Sequence, residues 1–182
     1  MELEIVIYLN HIKSSAIDSI SLGISWIPFI MILYSTLALT PLFFDKTNGK
    51  AIFISLIIAI ALHFLISEGL FKHYLLNCIP FRERPYIAHP DIINPIGKQL
   101  SDSSFPSNHM SSSLSILTVL IFHYRKFWPL ALFFVLLLAF SRMHNGMHYP
   151  SDVLIGSFLG VIYAAISIWV VKKIFKKNQN LV

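Results

Sequence analysis

"FPSNHMSSSLSILTVLIF" runs from Phe105 to Phe122. It opens with a proline, a hydroxyl, an amide and an imidazole, then turns into a continuous apolar helix. Polar groups beside hydrocarbon are costly and are kept where they face a cavity or a site. The stretch therefore predicts a membrane helix with chemistry at its mouth.

The composition agrees. The chain has 182 residues, 55% of them hydrophobic and 13% charged. A soluble domain carries about 25% charged residues. Too few charges remain here to cover a soluble all-α surface. A bilayer core takes about 20 apolar residues per helix. Residues 26–44, 51–71, 108–122, 127–143 and 151–171 meet or approach that length. The stretch "LEIVIYLNHIK" and its successor, with Ser14 or Ser15 as N-cap, predict a further short or interfacial helix before residue 25. The expected fold class is all-α, a polytopic membrane bundle of about six helices. It forms one domain over residues 1–182, with an N-terminal helix region at 1–24 and a basic tail at 172–182.

Two polar breaks interrupt the bundle. Residues 72–106 contain Pro80, Pro85, Pro90 and Pro95, which bar a long helix. A loop of that length is usually functional. The second break is "SRMHNGMHYPSD", Ser141–Asp152. With alternating spans the two breaks share one face. Eight of the 14 Lys and Arg residues gather on the opposite face: Lys46, Lys50, Arg125, Lys126, Lys172, Lys173, Lys176 and Lys177. The positive-inside rule makes that face cytoplasmic and turns both polar breaks outward from the cytoplasmic membrane. The acidic start, with Glu2 and Glu4, lacks the basic region of a cleaved signal peptide. A lone cysteine, Cys78, forms no intrachain disulfide.

Three clusters then meet on the outer face. The first holds Lys72, Arg82 and Arg84; the second Ser107, Asn108 and His109; the third Ser141, Arg142, His148 and Asp152. Arginine grips phosphate through a planar fork, and a helix N-terminus at residues 107–109 attracts anions. Pro150 suits a first helical turn, which sets Asp152 one turn beyond His148. A carboxylate there can fix the imidazole tautomer and leave the other nitrogen as nucleophile. His109 remains to protonate a leaving oxygen. This set suits phosphoryl transfer without a metal or other cofactor. A metal site at His144 and His148 needs a helix that Gly146 and Pro150 disfavour. The remaining histidines read as interfacial polar groups, with His144 the nearest rival to His148. Arg82, Asp91, Lys98 and Asp102 read as solvated loop charges, and the serines at 111–113 as small-residue helix packing.

Together the clusters resemble the type 2 phosphatidic acid phosphatase superfamily of membrane lipid phosphatases. Its pattern is Lys, six residues, Arg-Pro; then Pro-Ser-x-His; then Ser-Arg, five residues, His, three residues, Asp. Arg84-Pro85, "PSNH" at Pro106–His109 and the gap-free "SRMHNGMHYPSD" carry the resemblance. It implies His148 as the phosphate-accepting nucleophile, Asp152 as its partner and His109 as general acid. It also implies phosphate contacts from Arg84, Ser107, Asn108 and Arg142, and a six-helix bundle with its site near the outer surface. Position 108 is Asn where many members have Gly. The family lysine would fall on Asn77, so Lys72 fills that role only with a five-residue insertion such as "NCIPF", and Arg82 is its competitor. Within the family the chain most resembles small bacterial phosphatases of undecaprenyl diphosphate. The motifs also fit phosphatidylglycerophosphate, phosphatidate and lipid A phosphatases. The expected partners are a lipid phosphate or diphosphate and the bilayer itself, with no nucleic acid; the sequence leaves the oligomeric state open. A non-catalytic anion transporter and a vanadate haloperoxidase are the competing classes. The spaced His148–Asp152 pair disfavours the first and the membrane spans disfavour the second.

Overall fold

In the computed structural model, residues 1–12, 14–74 and 81–179 are described. Eight α-helices appear among them: α1 (Glu2–Asn10), α2 (Ser15–Ser25), α3 (Ile27–Phe44), α4 (Gly49–Leu62), α5 (Pro85–Ala88), α6 (Asn108–His123), α7 (Trp128–His144) and α8 (Pro150–Gln179). Helix α4 continues without a break into a π-helical segment, His63–Tyr74. No strand occurs among the described residues. Four stretches are long and apolar enough to cross a membrane: Ile27–Phe44, Gly49–Lys72, Arg125–His144 and Pro150–Lys176. They expose large apolar side chains such as Phe43, Leu65, Phe133 and Phe158 outward, as a lipid-facing surface requires.

The helix with the polar mouth, α6, lies at the centre against α8, α4 and α7. Its contact with α8 is the most extensive in the bundle, and small residues line it. A β-carbon at Gly156 would stand 2.5 Å from the Ser107 carbonyl oxygen, and one at Gly160 2.5 Å from that of Ser111. Ser107, Ser111 and Ser115, one helical turn apart, are fully buried opposite them. A Gly-x-x-x-Gly face on α8 meets a Ser-x-x-x-Ser face on α6, letting the backbones approach as membrane helices do. The apolar core around them comprises Ile52, Leu56, Met110, Val119, Leu138 and Ile168.

The N-terminal region forms two helices where the sequence suggests one. Ser14 stands at the N-cap position of α2. Serine and asparagine side chains fasten α2 to α7: Ser141 Oγ donates to the Ser21 carbonyl at 2.7 Å, and Ser21 Oγ to Asn145 Oδ1 at 2.7 Å. His144, the rival catalyst in the sequence, is a fastener too. It is buried, with Nδ1 2.8 Å from the Leu9 carbonyl and Nε2 2.8 Å from Asp18 Oδ1. At the far end, Tyr124 Oη donates to Asp45 Oδ2 at 3.0 Å, so the α3–α4 and α6–α7 turns lie together. Lys46, Arg125 and Lys126 belong to those turns, and Lys50 to the first turn of α4.

Candidate active site

The two polar breaks converge at the opposite end. The Ser107 N–H donates to the Asp152 carbonyl at 3.1 Å, the Ser104 N–H to the Arg82 carbonyl at 2.8 Å, and the Tyr86 N–H to the Gly146 carbonyl at 3.3 Å. Gly146 has φ +70°, and a β-carbon there would meet Ile93 at 2.7 Å. Glycine is therefore required for the turn between α7 and α8. That turn is a loop, as Gly146 and Pro150 suggest, and among the described residues no His/Cys/Asp/Glu cluster has metal-binding geometry.

His148 sits in this turn, buried. Its Nδ1 is 2.8 Å from the Ser104 carbonyl oxygen. A carbonyl only accepts, so Nδ1 carries the proton and Nε2 presents a lone pair. Arg84 Nη1 faces that nitrogen at 3.5 Å. Burial, then the cations Arg142, Arg84 and Lys72, holds the imidazole pKa well below the usual histidine range. It is a neutral imidazole with its Nε2 turned toward arginine. Asp152 is close but is not the ring's hydrogen-bond partner: its Oδ2 lies 3.7 Å from Nδ1. The carboxylate accepts the Tyr149 N–H at 2.8 Å instead. This is half of a capping box at the start of α8.

The cationic residues surround the same point. Arg84 is fixed by the Met147 carbonyl at 3.1 Å and by Asp102 Oδ1 at 2.7 Å. Lys72, on the π-helical segment, donates to Asp102 Oδ2 at 2.5 Å. Asp102 is thus no solvated loop charge: its two oxygens bridge two buried cations. Burial raises its pKa, but Lys72 and Arg84 outweigh burial and bring it down to about 2. Arg82 is no free loop charge either, since it pairs with Asp152 and Glu2 at 2.7 Å each. That pairing places Arg82 behind His148, and the cation sharing Asp102 with Arg84 is Lys72. The insertion inferred from the lysine spacing lies almost wholly outside the described residues.

At the mouth of α6, Ser107 occupies the N-cap position and its Oγ is buried without a partner. Arg142 is buried, and its Nε also has no protein partner. Unpaired buried donors cost on the order of 1–3 kcal/mol each, and an anion is the ligand that satisfies them. Asn108 donates its amide to Glu68 while its Oδ1 stays buried and unpaired. His109, on the next residue, keeps Nε2 3.1 Å from the Ser25 carbonyl at the end of α2. His148, Arg142 and Arg84 all lie within electrostatic reach of its ring. The structure therefore brings together all eight residues singled out in the sequence. It adds Ser104, Glu2, Glu68 and Ser25, which carry no spacing signal, and gives Asp102 and Arg82, read from the sequence as loop charges, partners within the site. Of these, Glu68 was open to notice as a carboxylate inside an apolar stretch.

Arginine and lysine side chains gathered around an oriented imidazole, at one end of a membrane bundle, make an arrangement suited to phosphoryl transfer. A sequence profile of the PAP2 superfamily matches residues 49–176, and the chain belongs to that superfamily. It is an integral membrane protein and a phosphoric ester hydrolase of the PAP2 class. Undecaprenyl-diphosphatase BcrC of Bacillus subtilis is 34% identical over 148 residues, 80% of this chain and 70% of that protein. Bacitracin transport permease protein BcrC of Bacillus licheniformis is 28% identical over 152 residues, 83% of this chain and 71% of that protein. The crystal structure of Aquifex aeolicus LpxE superposes with a TM-score of 0.68 at 22% identity, covering 92% of this chain and 94% of that one. The last likeness concerns the fold.

Proposed function

We propose that the chain removes the terminal phosphate of a membrane lipid diphosphate, undecaprenyl diphosphate being the best fit, through a phosphohistidine at His148. The carrying observation is the neutral His148 ring, with Nδ1–H committed to Ser104 and Nε2 turned to Arg84. Nε2 attacks the terminal phosphorus, and the bond to the bridging oxygen breaks. The negative charge of the bound diphosphate stabilises His109 as an imidazolium, which keeps one N–H on the Ser25 carbonyl and gives the proton of the other nitrogen to that oxygen, releasing the lipid monophosphate. Water, deprotonated by His109, then cleaves the N–P bond and frees inorganic phosphate. Arg84, Arg142, Lys72, Ser107 Oγ and the Asn108 N–H hold the phosphoryl oxygens. Arg142 Nε and Ser107 Oγ are the buried donors left over for them. The charge-stabilising work falls to these groups.

The relative named for undecaprenyl diphosphate supports the substrate, and the basic far end supports a site facing away from the cytoplasm of the inner membrane. The test is an initial-rate panel with EDTA present: undecaprenyl diphosphate, phosphatidate, phosphatidylglycerophosphate and lipid A. The expected result is fastest phosphate release from the undecaprenyl lipid, blocked by orthovanadate, which adopts the geometry of attacked phosphate. A faster rate on another lipid reassigns the substrate. Anion binding without phosphate release in every arm overturns the catalytic reading in favour of transport, which the name of the B. licheniformis relative suggests.

A further inference from the structure

In the proposed reaction His109 donates the proton, and one end of α2 holds its ring. His109 Nε2 lies 3.1 Å from the Ser25 carbonyl oxygen. A carbonyl only accepts, so Nε2 carries a proton there and Nδ1 is the nitrogen left to exchange one with the substrate. Ser25 is the last residue of α2, and the carbonyls of a last turn lack helical partners. The chain leaves the helix at once: Trp26 is extended, with φ −70° and ψ 120°, and Pro28 has no N–H to offer. The carbonyl is therefore open to an imidazole donor.

The contact bears on charge as well as direction. His109 stands in the first turn of α6, where the helix dipole disfavours a cation. Arg142 from α7 and Arg84 from the long loop face the same ring, beside His148. The C-terminal end of α2 is the opposite pole, and its carbonyls favour a positive partner. It steadies the imidazolium from the protein side while bound phosphate does so from the other.

One amide docks that end of α2. Asn145, buried, follows α7 in the turn that leads to His148. Its Oδ1 accepts from Ser21 Oγ at 2.7 Å, and its Nδ2 donates to Ser25 Oγ at 3.2 Å. Ser21 and Ser25 are one helical turn apart, so a single side chain grips the whole last turn. Ser25 Oγ spends its own proton on the Ser21 carbonyl at 2.9 Å. It can only accept from Asn145, which fixes the end of the amide that meets each serine. We propose that Asn145 is a positioning residue for the phosphoryl transfer: it clamps the last turn of α2 so that the Ser25 carbonyl holds His109 with Nδ1 turned to the leaving oxygen. The inference rests on His109 being the general acid.

A general acid matters most where the leaving oxygen is a poor leaving group. An alkoxide takes up a proton as its bond to phosphorus breaks, whereas 4-nitrophenolate leaves without one. The experiment measures kcat/KM for dioctanoyl phosphatidate and for 4-nitrophenyl phosphate in detergent micelles. It compares the unmodified protein with His109→Ala, with Asn145→Leu, and with Ser21→Ala and Ser25→Ala combined, which keeps both carbonyls. His109→Ala should lose about 10²–10⁴ on the alkyl ester and far less on the aryl ester. Asn145→Leu should show the same imbalance, its loss on the alkyl ester exceeding that on the aryl ester by about ten-fold. The serine double variant should share the imbalance in smaller measure. Equal losses on the two esters in Asn145→Leu, with His109→Ala still selective, reduce Asn145 to a brace of the α7–α8 turn and overturn the inference. Equal losses in His109→Ala itself reject the general acid and the inference with it. Should Asn145→Leu fail to fold, the serine double variant decides alone, and equal losses there are the negative result.

Discussion

The Nδ1–H of His148 is held by the main-chain carbonyl of Ser104 at 2.8 Å. The tautomer is thus set by backbone, and a change of side chain at position 104 leaves it in place. Ser104→Ala should keep kcat within about ten-fold of the unmodified protein, less than the 10²–10⁴ usually supplied by a general acid. His148→Ala should show neither turnover nor a phospho-enzyme. His109→Ala should turn over slowly and accumulate labelled phosphate on His148 when quenched with acid-sparing base. Equal partial activity in the two histidine variants, with no trapped label in either, refutes the division of labour.

Asp102 bridges Lys72 and Arg84 while its own side chain is 44% exposed and theirs are 6% and 2% exposed. It can hold the cations ready or compete with phosphate for them, and the two roles differ in sign. We expect holding: Asp102→Asn raises KM and the vanadate inhibition constant, and Asp102→Glu recovers part of both. Tighter vanadate binding in Asp102→Asn marks a competitor instead. The stability effect has a definite pH window. With a folded pKa of about 2, below that of an unfolded aspartate, the ion pairs stabilise the protein fully above pH ~4. The contribution fades as pH falls toward 2. The gap in unfolding temperature between the unmodified protein and Asp102→Asn should therefore narrow on acidification from pH 5.

Gly156 lies opposite the residue that caps the phosphate-binding helix. A methyl group there meets the Ser107 carbonyl at 2.5 Å and its nitrogen at 3.2 Å, both backbone atoms that cannot swing away. Gly156→Ala should cost about 1–3 kcal/mol by overpacking and should displace the mouth of α6. Gly160→Ala presses on Ser111, a turn deeper, at the same 2.5 Å. Both variants should lower the unfolding temperature in detergent, but only Gly156→Ala should also raise KM. Equal KM values would show that the helix crossing does not govern the cradle.

Much of this arrangement was legible in the residues. The apolar runs gave the spans because a bilayer dictates length. Ser107, His109, Arg142 and His148 stood out because such groups are costly beside hydrocarbon. Pro150 marked the start of α8, and Gly146 the loop before it. What escaped was pairing between distant segments. Nothing local distinguishes Asp102 from Asp91, yet one bridges two buried cations. Arg82 looked like an ordinary loop charge because its partners, Glu2 and Asp152, lie 80 and 70 positions away. The Ser104 carbonyl has no sequence signature, since every residue has one. The π-helical run after Leu62 also went unread. Yet it turns His63, Ser67 and Lys72 inward, and all three are buried.

Orientation is the prediction on which the substrate reading leans most. Lys46 and Lys50 flank the α3–α4 turn, Arg125 and Lys126 the α6–α7 turn, and Lys172, Lys173 and Lys176 the end of α8. The Tyr124–Asp45 bond and the Lys172 ammonium over the Phe122 ring, 4.4 Å from its centroid, draw these onto one end. Carrying a lysine through mid-membrane costs roughly 2.5 kcal/mol or more by insertion scales, and by the positive-inside rule we expect this end to be cytoplasmic. In a Cys78→Ser background, Gln99→Cys on the exposed long loop should react with an impermeant maleimide on intact cells. Thr47→Cys in the exposed α3–α4 turn should react only after lysis. A site so placed would meet lipid diphosphate on the outer leaflet and release phosphate outward. The opposite labelling pattern would turn His148 to the cytoplasm, and an inward-facing phospholipid phosphatase would then replace the cell-envelope reading.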